Sequence, residues 1–158
     1  MPAEELELAR RLFPGPVDLA ALFGDPDGLA MFREQYEPLV DPDVEAVAMP
    51  GHVPVSGPGV ETAPGEAGPV ARGIDGLITA YSDWVSAFER WEVTPVDYIE
   101  TGDGRVIVDV EIAMRSKTGG VELTTDGSNL LTFRDGRLKR MENFLNRSGA
   151  RDVAGLTS

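Results

Sequence analysis

The stretch "LLTFRDGRLKRMENFL", residues 130–145, decides the fold. It reads as two short strands around a tight turn at "RDG". Leu131, Phe133, Met141 and Leu145 fall on one face. Leu130, Leu138 and Phe144 fall on the other. Two asparagines break the first face, Asn129 just before the stretch and Asn143 inside it. They read either as polar fittings of a ligand pocket or as satisfied core polars.

Upstream the same grammar continues. Residues 92–147 contain four strand-like runs separated by "TGDG", "SKTGG" and "RDG". In the second run Val106, Val108, Val110, Ile112 and Met114 share one face, and Asp109, Glu111 and Arg115 share the other. That is period two with one buried face. The acids of "TTDGSN" and "ETGDG" read as turn residues. Asp109 and Glu111 form a carboxylate pair, of a kind that can do acid–base work or hold a metal. Facing away from the concave side, the pair reads as a solvated or dimer-facing surface.

Before the strands come helices. "AEELELARRLF" has apolar residues near helical spacing, and Pro14 and Pro16 end it. "VDLAALFG" and "DPDGLAMFREQYEPLV" are two more short helices, the second capped by Asp25 or Asp27. A short strand follows at Val44–Met49. Residues 50–72, crowded with Gly and Pro, read as a long loop. "GIDGLITAYSDWVSAFERW" carries an apolar stripe from Ile74 through Tyr81, Trp84 and Phe88 to Trp91, which predicts a helix along the whole of it. A last helix is expected in "SGARDVAGL", with Ser148 as cap and Gly155 as stop. Helices followed by an antiparallel run define an α+β fold with helices on one face of a sheet.

Composition excludes several classes of function. The chain has 158 residues, suited to one domain spanning 1–158. It has no cysteine and one histidine, His52, so disulfides, thiolate catalysis and Cys- or His-rich metal sites are ruled out. A net charge of -13 disfavours nucleic acid and anionic membrane surfaces. No apolar run approaches the roughly 20 residues needed to cross a bilayer. The acidic N-terminus lacks the pattern of a secretion signal, and the expected location is the cytoplasm. No cofactor or metal motif is present, and no Gly-rich phosphate loop follows a strand.

The motifs "DPDVEAV", "GIDGLITAYSDWVSAFERWEVTPVDYIETGDGRVIV", "LTFRDGRLKRMENFLNR" and "AGL", in that order over about residues 40–156, resemble the SnoaL-like group of the nuclear-transport-factor-2-like superfamily. The resemblance implies a cone, with a curved antiparallel sheet around helices and an apolar cavity inside. Many members are homodimers, and some are isomerases, cyclases or hydrolases of small apolar molecules. The oxyanion-hole aspartate of ketosteroid isomerases would fall on Asn129, and their general base on Val47 or Met49. The Asp–Arg–Asp set of limonene epoxide hydrolases would fall on Val110, Ile112 and Asn143. Both acid–base sets are therefore replaced by groups that do not titrate.

Three functions follow as alternatives. The first is a homodimer binding a small apolar molecule, oriented by Asn129 and Asn143. Trp84, Val108, Val110, Ile112, Leu131, Met141 and Leu145 form its walls, and loop 50–72 its lid. The second is an isomerase, cyclase or hydrolase acting on a polyketide-, terpene- or steroid-like substrate. Its base would be His52, Glu61 or Glu66, with Tyr81 and Tyr98 able to supply hydroxyls. The third is a non-catalytic association module. Trp84, Phe88 and Trp91 read as core or as cavity lining. A sheet-to-sheet homodimer would cover Leu130, Leu138 and Phe144.

Overall fold

The computed structural model describes residues 2–48, 60–62 and 69–156. Helices α1 (Pro2–Leu12), α2 (Leu19–Phe23) and α3 (Pro26–Tyr36) precede strand β2 (Val40–Ala48). A two-residue strand β1 (Val17–Asp18) lies between α1 and α2. Strands β3 (Val60–Thr62) and β4 (Pro69–Arg72) lead into helix α4 (Gly73–Val85). Four long strands follow, β5 (Phe88–Glu100), β6 (Arg105–Ser116), β7 (Glu122–Arg134) and β8 (Arg137–Phe144), and then helix α5 (Ser148–Ala154). All eight strands form one strongly curled sheet in the order β1-β5-β6-β7-β8-β2-β4-β3.

The meander β5–β8 stands where the turn signals place it. Asp135 (φ 55°) and Gly136 (φ 75°) both occupy the left-handed region, as a two-residue hairpin of the type favoured by Asp-Gly requires. Capping works as the residue types dictate for α3. The Asp25 carboxylate accepts from the Asp27 amide at 3.3 Å, and Pro26 opens the helix. Gly155 (φ 76°) closes α5. Its start is held by Asn146, whose Oδ1 accepts from the Gly149 amide at 2.6 Å, and not by Ser148.

Several expectations are corrected. The α4 helix ends at Val85, and Phe88 and Trp91 belong to β5. Ser86 Oγ donates to the Asp83 carbonyl at 2.7 Å at the break. The apolar spacing runs on unbroken because the sheet continues the surface that the helix packs on. The segment 50–72 is not all loop: β3 and β4 pair as antiparallel strands, with Pro69 at the tolerated first position. His52, Met49 and Glu66 lie outside the described residues. The sheet is also not wholly antiparallel, because β2 runs parallel to β8.

Leu138 lies on the concave side with Met141, not on the convex face. The β8 pairing slips beside Leu138 on both flanks, against Phe133 of β7 and between Val40 and Glu45 of β2. One extra residue swaps every side chain beyond it to the other face. Asp126 and Gly127 stand inside β7 rather than in a turn. A Cβ on Gly127 would come to 3.0 Å from Ile112, Val110 and the Phe144 carbonyl, so any larger residue forces its neighbours to move.

The convex face is covered from within the chain. Leu130 and Phe144 pack with Ile107 and Ala150 beneath α5, so no second copy is needed to dry them. Asp109 is not a solvated carboxylate. It is 4 % exposed and takes two hydrogen bonds from Arg151, at 2.6 and 3.0 Å. Glu111, its presumed companion, is exposed and paired across the ladder with Asp126.

Replacing Gly127 by valine is expected to lower stability by about 2–3 kcal/mol, since both a side chain and a carbonyl must move. Chemical denaturation monitored by circular dichroism measures it.

Candidate functional site

Inside the cone, α1–α4 and the concave sheet face line a cavity of about 140 Å³. Its composition follows from the amphipathic faces that build it. Leu19, Leu22 and Phe23 come from α2, Phe32 and Tyr36 from α3, and Leu77, Tyr81 and Trp84 from α4. Trp91 and Val93 come from β5, Val110 and Ile112 from β6, and Leu138 and Met141 from β8. Five rings run along the wall, with centroid separations of 4.7 Å (Tyr36–Phe32), 4.9 Å (Phe32–Phe23), 5.9 Å (Phe23–Tyr81) and 5.0 Å (Tyr81–Trp84). Tilted and edge-on contacts of this kind hold aromatic groups in fixed orientations.

Of the expected wall residues, Asn129, Asn143, Trp84, Val110, Ile112, Met141 and Leu145 line the cavity. Val108 and Leu131 do not; both are fully buried in the surrounding core. The α2 face was readable in "VDLAALF", where Leu19, Leu22 and Phe23 share one side of the helix, but nothing local shows that this face points into a void. Val70–Arg72, from the expected lid, form no part of the wall. Glu61 falls in β3, and Val47, where the resemblance puts an isomerase base, is fully buried.

The chain between α1 and α2 borders the cavity instead. Phe13, Gly15 and Val17 line it. The Tyr98 hydroxyl donates to the Phe13 carbonyl. The Asp18 carboxylate accepts from the Ala20 amide and from the Trp91 amide, each at 3.0 Å, so one side chain caps α2 and ties it to β5.

The polar content is concentrated at one place. Asn129 and Asn143 stand directly opposite on β7 and β8, so their side chains meet on the same face. Asn143 Nδ2 donates to Asn129 Oδ1 at 2.6 Å. The residues are 7 % and 8 % exposed, and Asn143 Oδ1 has no hydrogen-bond partner. A buried, unmatched polar atom costs about 1–3 kcal/mol. Above the pair, the Tyr81 hydroxyl donates to Met141 Sδ at 3.8 Å. Burial raises the Tyr81 phenol well above its ordinary value, and the neighbouring Asn143 side chain offsets this only in part. Burial raises Tyr36 as well. Among the described wall residues these two phenols are the only titratable side chains, and both keep their protons at neutral pH.

A curled sheet closed over helices around an apolar, amide-bearing cavity defines a cone-fold protein. The model of the SnoaL-like domain matches residues 24–141, and the chain belongs to that family. Among solved structures it is similar to a candidate SnoaL-like polyketide cyclase from Jannaschia sp. CCS1, at 17% identity and TM-score 0.62, covering 90% of this chain and 85% of that one. It is similar to a protein with a ketosteroid isomerase-like fold from Catenulispora acidiphila DSM 44928, in complex with trimethylamine, at 14% identity and TM-score 0.55, covering 87% and 89%. It is also similar to TerC co-crystallized with polyporic acid, at 22% identity and TM-score 0.53, covering 80% and 92%. At these identities the likeness extends to the fold. No protein of curated function matches the chain. No helix among the described residues is long and apolar enough to cross a membrane.

Two outcomes are expected from the site. Asn129→Leu and Asn143→Leu should each destabilise the protein by about 1–3 kcal/mol, because each strands the other amide. The double variant should cost less than the sum, which a double-mutant denaturation cycle measures. The tyrosines set an alkaline limit. The unfolded phenol ionises near pH 10, whereas buried Tyr81 holds its proton to higher pH. Above pH 10 the unfolded state thus binds fewer protons, and stability falls as pH rises. Below pH 10 this contribution is constant. Tyr81→Phe should flatten the fall, read as melting temperature against pH.

Proposed function

We propose that the protein binds a small, mostly apolar molecule inside the cone, with Asn129 and Asn143 orienting it. The carrying observation is the join of an aromatic-lined cavity to a buried amide pair with one unmatched atom. Apolar cavities of about 150 Å³ hold benzene-sized molecules, which sets the scale of the occupant. The ligand-bound neighbours support the reading, since each carries a small molecule on the same fold.

The test uses the protein's own reporters. The chain has two tryptophans, and both Trp84 and Trp91 line the cavity. Titration with small cyclic hydrocarbons, alcohols and ketones should change their fluorescence saturably. A ligand at ~100 times its Kd should add about 2.7 kcal/mol to stability. Val93→Trp, which fills the cavity, should abolish both responses. Wild-type protein that responds to nothing, or a Val93→Trp variant that responds equally, would refute the reading.

A further inference from the structure

We infer that the cavity selects a ligand carrying a hydrogen-bond donor, a hydroxyl or N–H on a frame of about one ring, over the matching ketone or hydrocarbon. The inference rests on the binding reading and adds its polarity.

The argument is an accounting of the amide atoms. Asn143 Nδ2 is spent on Asn129 Oδ1 at 2.6 Å. The Tyr81 hydroxyl donates to Met141 Sδ. What remains unmatched on Asn143 is Oδ1, an acceptor. Both asparagines belong to the cavity wall, and the rest of the nearby wall is aliphatic or aromatic. An acceptor in such surroundings is satisfied by a donor that arrives with the ligand. A ketone brings a second acceptor and leaves Oδ1 unmatched, while a hydrocarbon brings nothing. The site thus reads in the opposite sense from one whose buried acid donates to a substrate carbonyl. Nor does the described part of the wall offer a base to take the donor's proton. Among the described residues, Tyr36 and Tyr81 are the titratable groups facing the cavity, and both are protonated. The hydroxyl is held as a neutral donor.

Two matched pairs test this by isothermal titration calorimetry or tryptophan fluorescence. 4-Methylphenol and p-xylene share one shape, as do cyclohexanol and cyclohexanone. The expected result is a Kd lower by about tenfold or more for each donor. Asn143→Leu, checked for a cooperative melt, should bring both ratios close to one. Binding of p-xylene with no preference for 4-methylphenol, or of cyclohexanone more tightly than cyclohexanol, would overturn the inference and leave the binding reading intact. No binding by any of the four would overturn both. Should Asn143→Leu fail to fold, the wild-type ratios alone decide.

Discussion

The register of β7 against β8 is the constraint on which the structure depends. It is set at one end by the Asp135–Gly136 turn, where both residues adopt the left-handed conformation. It is adjusted once, beside Leu138, and then runs true to Asn129 opposite Asn143 and Ser128 opposite Phe144. Side chains alternate between faces, so a slip of one residue would carry the asparagines out to the convex side and bring Leu130 and Phe144 inward. The amide pair, the cavity wall and the apolar seat of α5 are all consequences of that one alignment.

The two faces of the hairpin solve different problems. The concave face is apolar and leaves a cavity where α1–α4 meet the curled sheet through rings that pack at angles. The convex face is closed by a helix of only seven residues, too short to be stable by itself. It is held by tertiary contacts. Ala150 packs against Ile107 and Leu130, and Arg151 reaches the buried Asp109. Ser128 assists from below, its Oγ donating to the Asn146 carbonyl at 2.7 Å and accepting from the Ala150 amide at 3.3 Å.

Much local chemistry was legible in the sequence. The Asp-Gly turn, an acidic cap at Asp25 or Asp27, the Gly155 stop and the period-two stripe of β6 needed no knowledge of distant residues, although the start of α5 is held by Asn146 and not Ser148. Features that depend on a remote partner were not legible. Asp109 alternates like a surface residue, and only the return of α5 buries it. Asp126–Gly127 has turn chemistry, but its glycine serves a close approach within a strand. The stripe of α4 passes unchanged into β5 because both elements face the same core. The side on which Leu138 falls depends on a slip caused by neighbours on two strands. For the site, the shared face of the asparagines was legible in the apolar alternation, whereas their direct opposition needs the slip beside Leu138, and the ring of α2 and α3 residues required the tertiary fold.

The ends of the sheet carry a consequence of their own. Its terminal strands are β1, with two residues, and β3, with three. Long open edges invite another chain to add a strand, and short ones give it little backbone to grip. The long, apolar strands β6, β7 and β8 are all interior to the ladder, each flanked on both sides. The segments best suited to cross-β stacking are thus kept from propagating while the fold is intact, and the longer open edge falls instead on β5, of which β1 covers only Glu92 and Val93.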